Sequence, residues 1–292
     1  MLTHVSLMRK KMPKEITKTT GDVEKFSIKK LQRSLERAGI DTKTAHAIAV
    51  EVAEEEDIRT TIDVHKAAYK KLKQKYRPTA ARYNLKRALK SLGPSGYPFE
   101  QFFARLLNAR GYKTSTNRTI RGTCITHEID VMGYKDNRHF IFECKFHNNL
   151  GYKSDVQTIL YMKARFDDIR ERWNAIHEGK GEHLHKLWVV TNTQFTSQAI
   201  AYAQCVGIEL MSWRYPEGRS LAELIDQTGL HPVTAITKLT KRQKEYILNH
   251  GLVLCREVET KQDVLKQAGV HGHKLEQVIA EAKAIIALKN EA

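Results

Sequence analysis

The sequence predicts an α/β protein: a mixed sheet packed between helices in the middle of the chain, preceded and followed by mainly helical segments. Three patterns predict it. Between His127 and Phe146, two stretches of apolar/polar alternation flank Lys135-Asp136-Asn137, which is the signature of a β-hairpin. Between Lys186 and Met211, a strand-like run, a helical run and a second strand-like run follow one another, as in a β-α-β unit with a parallel crossover. At both ends of the chain, apolar residues recur at helical spacing between glycines.

Residues 1–14 read as a basic tail without the apolar core of a signal peptide. Residues 16–26 predict a short hairpin turning at Gly21, and Ser27 is placed to cap a helix from Ile28. Helices are expected over 41–52, with Asp41 as its cap, then over 62–76 and 80–92. The glycines and prolines of 93–98 form a linker. Phe99, Phe102, Phe103, Leu106 and Leu107 then lie on one helical stripe, with Glu100 at its edge. Strands are expected over 127–133 and 139–146, and a helix from Asp155 carries Gln157 and Tyr161 one turn apart. A strand at 186–193, a helix at 195–206 and a strand at 207–211 complete the middle region, which spans 99–216. The last part, 217–292, reads as helices at 221–228, 240–249, 261–267 and 273–287, parted by Gly229, Gly251, Gly269 and Gly272.

The run at 139–146 carries the chemistry. Alternation turns Phe140, Phe142, Cys144 and Phe146 to one face and Ile141, Glu143 and Lys145 to the other, so a carboxylate and an ammonium project side by side. The hairpin brings Asp130 beside Glu143. Two carboxylates and a backbone carbonyl, here that of Cys144, suit a hard cation such as Mg2+ or Mn2+ that keeps waters and takes phosphate oxygens. Lys145 would orient an attacking water and offset charge at a phosphodiester. Taken alone, the short string is also satisfied by a solvated surface hairpin.

With Phe99-Glu100, Ile129-Asp130, Glu143-Cys144-Lys145, Gln157 with Tyr161, and Val190-Thr191-Asn192-Thr193-Gln194-Phe195-Thr196 all in order, the segment 97–215 resembles the Mrr-like branch of the PD-(D/E)xK nuclease superfamily. The resemblance implies a restriction-endonuclease-like α-β-α core. It implies catalytic roles for Glu100, Asp130, Glu143, Lys145 and Gln157, with Glu100, Asp130, Glu143 and the Cys144 carbonyl around the metal. Where that motif often begins with Gln, this chain has Glu143.

The segment 15–92 resembles the ATP-cone, a nucleotide-sensing domain, through Lys18, Gly21, Glu24, Phe26 and Lys30, then Thr60-Thr61-Ile62-Asp63-Val64-His65, then Ala81-Arg82-Tyr83. The resemblance implies that Lys18, Glu24, Lys30, Thr61 and His65 contact ATP or dATP as a regulatory ligand. Thr19 stands where the family usually has Arg, which removes one guanidinium fork. No G-x-x-x-x-G-K-[ST] loop occurs, so the unit is expected to sense nucleotide rather than hydrolyse it. The C-terminal helices resemble small helical DNA-binding modules of helix-hairpin-helix type, and a helical cap on the nuclease fits their pattern equally.

Composition agrees. The 292 residues carry a formal net charge of +16, which favours a polyanionic partner such as DNA, and 41% hydrophobic residues suffice for two or three cores. No long apolar run predicts a membrane span, and the expected location is the cytoplasm. Cys124, Cys144, Cys205 and Cys255 lack C-x-x-C spacing and are expected as buried thiols. His183 with His185 and His271 with His273 are given no metal role, and His127, three residues before Asp130, is a secondary site candidate. The expected function is a metal-dependent DNA endonuclease gated by ATP or dATP, in restriction or phage defence, assembled as a homodimer or homotetramer so that both strands are cut. A nucleotide-sensing DNA-binding regulator without cleavage and a structure-selective nuclease such as a junction resolvase are the alternatives.

Overall fold

The structure, a computed structural model, describes residues 15–18, 21–75, 79–80, 83–149, 151–178 and 183–287. The expected tail at 1–14, and Thr19, Ala81 and Arg82, lie outside the described residues. The chain divides into two units, 1–83 and 84–292.

In the first unit, β1 (Glu15–Thr17) and β2 (Val23–Lys25) pair antiparallel, with Glu15 opposite Lys25. The Ser27 hydroxyl accepts the Lys30 N–H and starts α1 (Ile28–Glu36). Asp41 caps α2 (Thr42–Glu54) by accepting the Thr44 N–H at 3.0 Å. Thr60 and Asp63 satisfy one another's backbone N–H groups at the start of α3 (Thr61–Lys75), the reciprocal arrangement that terminates a helix cleanly. Leu35, Ala45, Ala49, Val52, Ala68 and Leu72 are fully enclosed between these helices.

The second unit begins with α4 (Leu85–Lys90) and α5 (Tyr97–Ala109). Three antiparallel strands follow, β3 (Lys113–Arg121), β4 (Thr126–Lys135) and β5 (Arg138–Lys145). Asp136 and Asn137 both have positive φ, 51° and 57°, the backbone that a two-residue hairpin matched to strand twist requires. After β6 (Lys153–Ser154) comes α6 (Val156–Ile176), then β7 (His183–Thr191), β8 (Gln194–Phe195), α7 (Ser197–Val206) and β9 (Glu209–Met211). The five-stranded sheet has the order β3-β4-β5-β7-β9, antiparallel in its first half and parallel from β5 onward. This is a mixed α/β fold consistent with a restriction-endonuclease-like core.

The alternation of β5 sorts its two faces. Phe142 packs edge-on against Phe103 of α5 at 5.7 Å, and Phe99 lies 5.6 Å from Phe146. On the other face Ile141 joins Ile159, Met162, Phe166 and Ile169 of α6 and Ala199 and Ala203 of α7. Helices therefore cover both faces of the sheet, and Glu143 emerges on the α6 side at the carboxyl end of β5.

Several expectations need correction. β3 was not expected, because Lys113–Arg121 is polar and largely exposed at the sheet edge and has no apolar alternation to announce it. α6 runs for 21 residues, well past Tyr161. β7 starts at His183 and ends at Thr191, earlier than the apolar run suggests. Cys124 and Cys205 are exposed, one in a turn and one on the outer side of α7, and only Cys144 and Cys255 are buried.

Beyond Met211, α8 (Leu221–Thr228) is capped by Ser220 and Glu223, and α9 (Lys241–Asn249), α10 (Gln262–Gln267) and α11 (Gly272–Ala287) follow. The buried Glu281 carboxylate accepts from the Thr237 N–H and hydroxyl and from the Lys238 N–H, so its charge is met by three donors. Among the described residues no helix is long and apolar enough to cross a membrane.

Candidate active site

Four of the five residues expected to act together converge where β4 and β5 leave their ladder. The paired register runs from Lys135 and Arg138 to Val131 and Phe142. Just beyond it, the Cys144 N–H donates to Asp130 Oδ2 at 2.7 Å, which draws the Asp130 carboxylate to the end of β5. Glu143, almost wholly buried, receives the Lys145 ammonium on Oε1 at 2.8 Å. Glu100, in the first turn of α5, faces the same centre. Burial first, then the charges of Asp130 and Glu143, push its carboxyl up to about 7. Burial and Glu143 likewise raise Asp130 to about 6, although the Cys144 N–H and the Lys145 and Arg165 cations oppose the rise. Carboxylates that repel one another in a partly dry setting are what a cation site looks like before its charge is supplied.

Gln157 does not join them. It is exposed in the first turn of α6, and none of the site's hydrogen bonds or ion pairs involves it. Two turns later Arg165 does. Its Nη1 lies 3.0 Å from Glu143 Oε1, and its Nη2 donates to the Glu128 carbonyl. The guanidinium also sits over the exposed Tyr161 ring, 5.6 Å from its centroid. Gln157, Tyr161 and Arg165 are spaced four apart on one helical face, so extending the helix by one turn would have found Arg165 in the sequence.

His127 is engaged elsewhere. Its Nε2 lies 2.7 Å from Asp168 Oδ2, and the Asp168 carboxylate also accepts the Cys124 N–H at 2.6 Å and the Ile125 N–H at 3.3 Å. These donors hold the Asp168 carboxyl well below the usual carboxylate range. The pair closes the turn between β3 and β4, a structural role.

A further tie fixes the chain just after Lys145. The fully buried Asn192 accepts the His147 N–H and donates to the His147 carbonyl, both at 2.9 Å. His147 Nε2 in turn lies 2.9 Å from the Ser154 hydroxyl, and its ring rests 4.3 Å from that of Tyr152.

No cage of three or more His, Cys, Asp or Glu side chains occurs among the described residues. A hard, well hydrated cation does not need one, since a pair of carboxylates with backbone and water oxygens suffices. The hydrogen bonds at the centre use Asp130 Oδ2 and Glu143 Oε1, so Asp130 Oδ1 and Glu143 Oε2 are left for other work. The donor set fits such an ion.

Residues 93–225 match the family model described as restriction endonuclease, and residues 231–286 match that described as AF1548-like, C-terminal. An uncharacterized protein of Archaeoglobus fulgidus is 36% identical over 184 residues, which are 63% of this chain and 99% of the relative. The chain belongs to the family of that archaeal protein. The solved structure titled Crystal Structure of Protein of Unknown Function AF1548 is similar as well, at 35% identity with a TM-score of 0.54, over 65% of this chain and 98% of that one. The restriction endonuclease domain of this AF1548-like chain contains Glu100, Asp130, Glu143, Lys145 and Arg165. It supports a nuclease with DNA as its substrate.

In the first unit, Lys18 and Lys30 both reach Glu24 Oε2, at 3.2 and 2.7 Å, and together they lower the Glu24 carboxyl, Lys30 most. Thr17 bridges to Thr60, so Lys18 and Thr61 follow at adjacent positions. The His65 ring stacks 4.7 Å from Tyr83 and 6.4 Å from Tyr69.

Proposed function

We propose that this protein is a divalent-metal-dependent DNA endonuclease, using Mg2+ or Mn2+, whose cutting responds to ATP or dATP at the first unit. The observation that carries the reading is the convergence of Glu100, Asp130 and Glu143 on Lys145, with Glu100 pushed up to about 7 and Asp130 to about 6. Asp130, Glu143 and the Cys144 carbonyl would hold the cation, with Glu100 beside it. Bound there, the cation supplies Lewis acidity to the phosphoryl oxygen and acidifies a water. Lys145 keeps its ammonium on Glu143 until substrate arrives, then orients the attacking water and offsets the charge that grows on the phosphate. Asp130, tied to the Cys144 N–H, keeps its remaining oxygen directed without a reorganisation cost. The net charge of +16 draws DNA to a centre that is itself acidic.

The nucleotide part of the reading is supported by Lys18 and Lys30 gathered on Glu24 beside Thr61, and by His65 stacked on Tyr83. Two ammonium groups suit a phosphate chain. The ligand shifts cutting only as far as its affinity differs between two states of the chain. A homodimer or homotetramer supplies the second site that cutting both strands needs, and a setting in restriction or phage defence fits such a device.

The test is cleavage of supercoiled plasmid by the wild type and Asp130→Ala with Mg2+, each without nucleotide, with ATP and with dATP. Cutting that vanishes in the variant and changes with nucleotide is expected. DNA binding without cutting in every condition would leave a DNA-binding regulator instead. Cutting that nucleotide does not alter would remove the sensor.

A further inference from the structure

Past Val131 and Phe142 the two strands that carry Asp130 and Glu143 no longer pair through their backbones. What spans the gap is side chains. One tie is the Cys144 N–H to Asp130 Oδ2. The other is Arg165, which joins the Glu128 carbonyl of β4 to Glu143 Oε1 of β5 through the two arms of one guanidinium.

Arg165 is itself firmly seated. Its side chain is only 16% exposed, its Nη1 lies 3.6 Å from the Met162 sulfur, and the Tyr161 ring covers its outer side. Beneath it, Ile129, Ile141, Phe166, Ile169 and Leu187 line an apolar hollow that Glu143 also borders. In such surroundings a charged hydrogen bond is strong and a mispositioned carboxylate is not rescued by water.

We propose that Arg165 is a positioning residue: a two-armed staple that sets the separation of the carboxylate strands, and so the affinity of the site for its divalent cation. The proposal rests on the nuclease reading. A guanidinium is suited to the task because its planar fork reaches two acceptors in fixed geometry. A lysine ammonium at the same place keeps the charge and loses the fork. Arg165→Lys therefore separates the two effects that any change here mixes. If Arg165 merely competes with the cation for Glu143, Arg165→Lys binds cation like the wild type and Arg165→Met binds it more tightly. If it spaces the strands, both variants bind more weakly.

The experiment is a calorimetric titration of Mn2+ into the full chain without DNA, for the wild type, Arg165→Lys and Arg165→Met, well below their melting midpoints. A roughly tenfold loss of Mn2+ affinity is expected for Arg165→Lys, the usual scale for a group that orients a metal ligand. Saturating Mn2+ should then restore the turnover of plasmid cleavage. If Arg165→Met does not fold, Arg165→Lys alone decides. Wild-type affinity in Arg165→Lys overturns the proposal and leaves the nuclease reading standing, as does a cleavage defect that saturating Mn2+ does not repair, which would place Arg165 on DNA. A wild type that neither takes up Mn2+ nor cuts plasmid overturns both.

Discussion

The Cys144 N–H and Asp130 Oδ2 meet at 2.7 Å, so the backbone of one carboxylate-bearing strand fixes the side chain of the other. Asp130 is thereby both a fastener and a charged group, and the two jobs separate on substitution. Asp130→Asn keeps an oxygen to accept the Cys144 N–H and loses the charge. The expected result is a melting midpoint close to wild type with cleavage reduced by at least about 10²–10³-fold, as when one preorganised electrostatic group is removed. Single-turnover nicking alongside a thermal melt checks it.

The raised carboxyls of Glu100 and Asp130 make cation-free stability depend on pH. Each group binds its proton more tightly in the folded chain than in the unfolded one. The folded state is therefore favoured most below pH 4, and that advantage is lost as pH rises through about 6 and 7. Glu100→Gln removes one of these ionisation costs. Discounted for partial exposure, it should stabilise the chain by about 1–2 kcal/mol at pH 8 in EDTA and by nothing at pH 4. Urea midpoints at the two pH values decide. Metal-supported cutting should run the other way, rising as the same carboxyls ionise.

Gly122 lies against the Asp168 cluster. A Cβ at Gly122 would run into Asp168 Oδ2 and meet the Ile125 carbonyl at 2.9 Å. Gly122→Ala should cost about 1–3 kcal/mol by overpacking, and less in an Asp168→Ala background where the worse clash is gone. A double-mutant cycle of unfolding free energies measures the coupling. Additive effects would show that the cost at Gly122 does not arise from this carboxylate.

Asn192 holds both backbone groups of His147. Asn192→Ala leaves them without these partners, at a cost of about 1–3 kcal/mol for two part-buried polar groups. Asn192→Asp keeps the acceptor but sets a buried carboxylate oxygen against the His147 carbonyl, so it should cost at least as much. Because His147 follows Lys145 by two residues, both variants should also slow cleavage at temperatures where they remain folded. Unchanged turnover in the folded Asn192→Ala chain would argue that Lys145 does not depend on the clamp.

How much of this was legible in the sequence depends on how strongly each residue's surroundings are written in local pattern. The β4-β5 hairpin was legible because Phe140, Phe142 and Cys144 alternate with Ile141, Glu143 and Lys145, and because Asp136-Asn137 suits positive φ. The caps Ser27 and Asp41 were legible for the same local reason. β3 was not, since an exposed edge strand is held by its neighbour's backbone and asks little of its own side chains. Arg165 was hidden by the weak amphipathic pattern of α6 beyond Tyr161, and its partners lie 22 and 37 positions away in the chain. Gln157 shows the reverse error: the expected spacing occurs, yet the side chain is exposed.

The C-terminal segment is keyed into α4 and α5. The Thr234 hydroxyl donates to the Ala88 carbonyl at 2.6 Å, and Arg105 of α5 lies 3.3 Å from Glu257. Glu257 spends its other oxygen on the Val253 and Leu254 N–H groups, so it shapes its own turn while meeting α5. Two segments that match separate family models therefore share an ion pair, and exchanging one of them between relatives puts that pair at risk. A chimera joined near residue 230 must carry positions 105 and 257 as a matched pair, or one partner brings a charge to a seam that the other no longer answers.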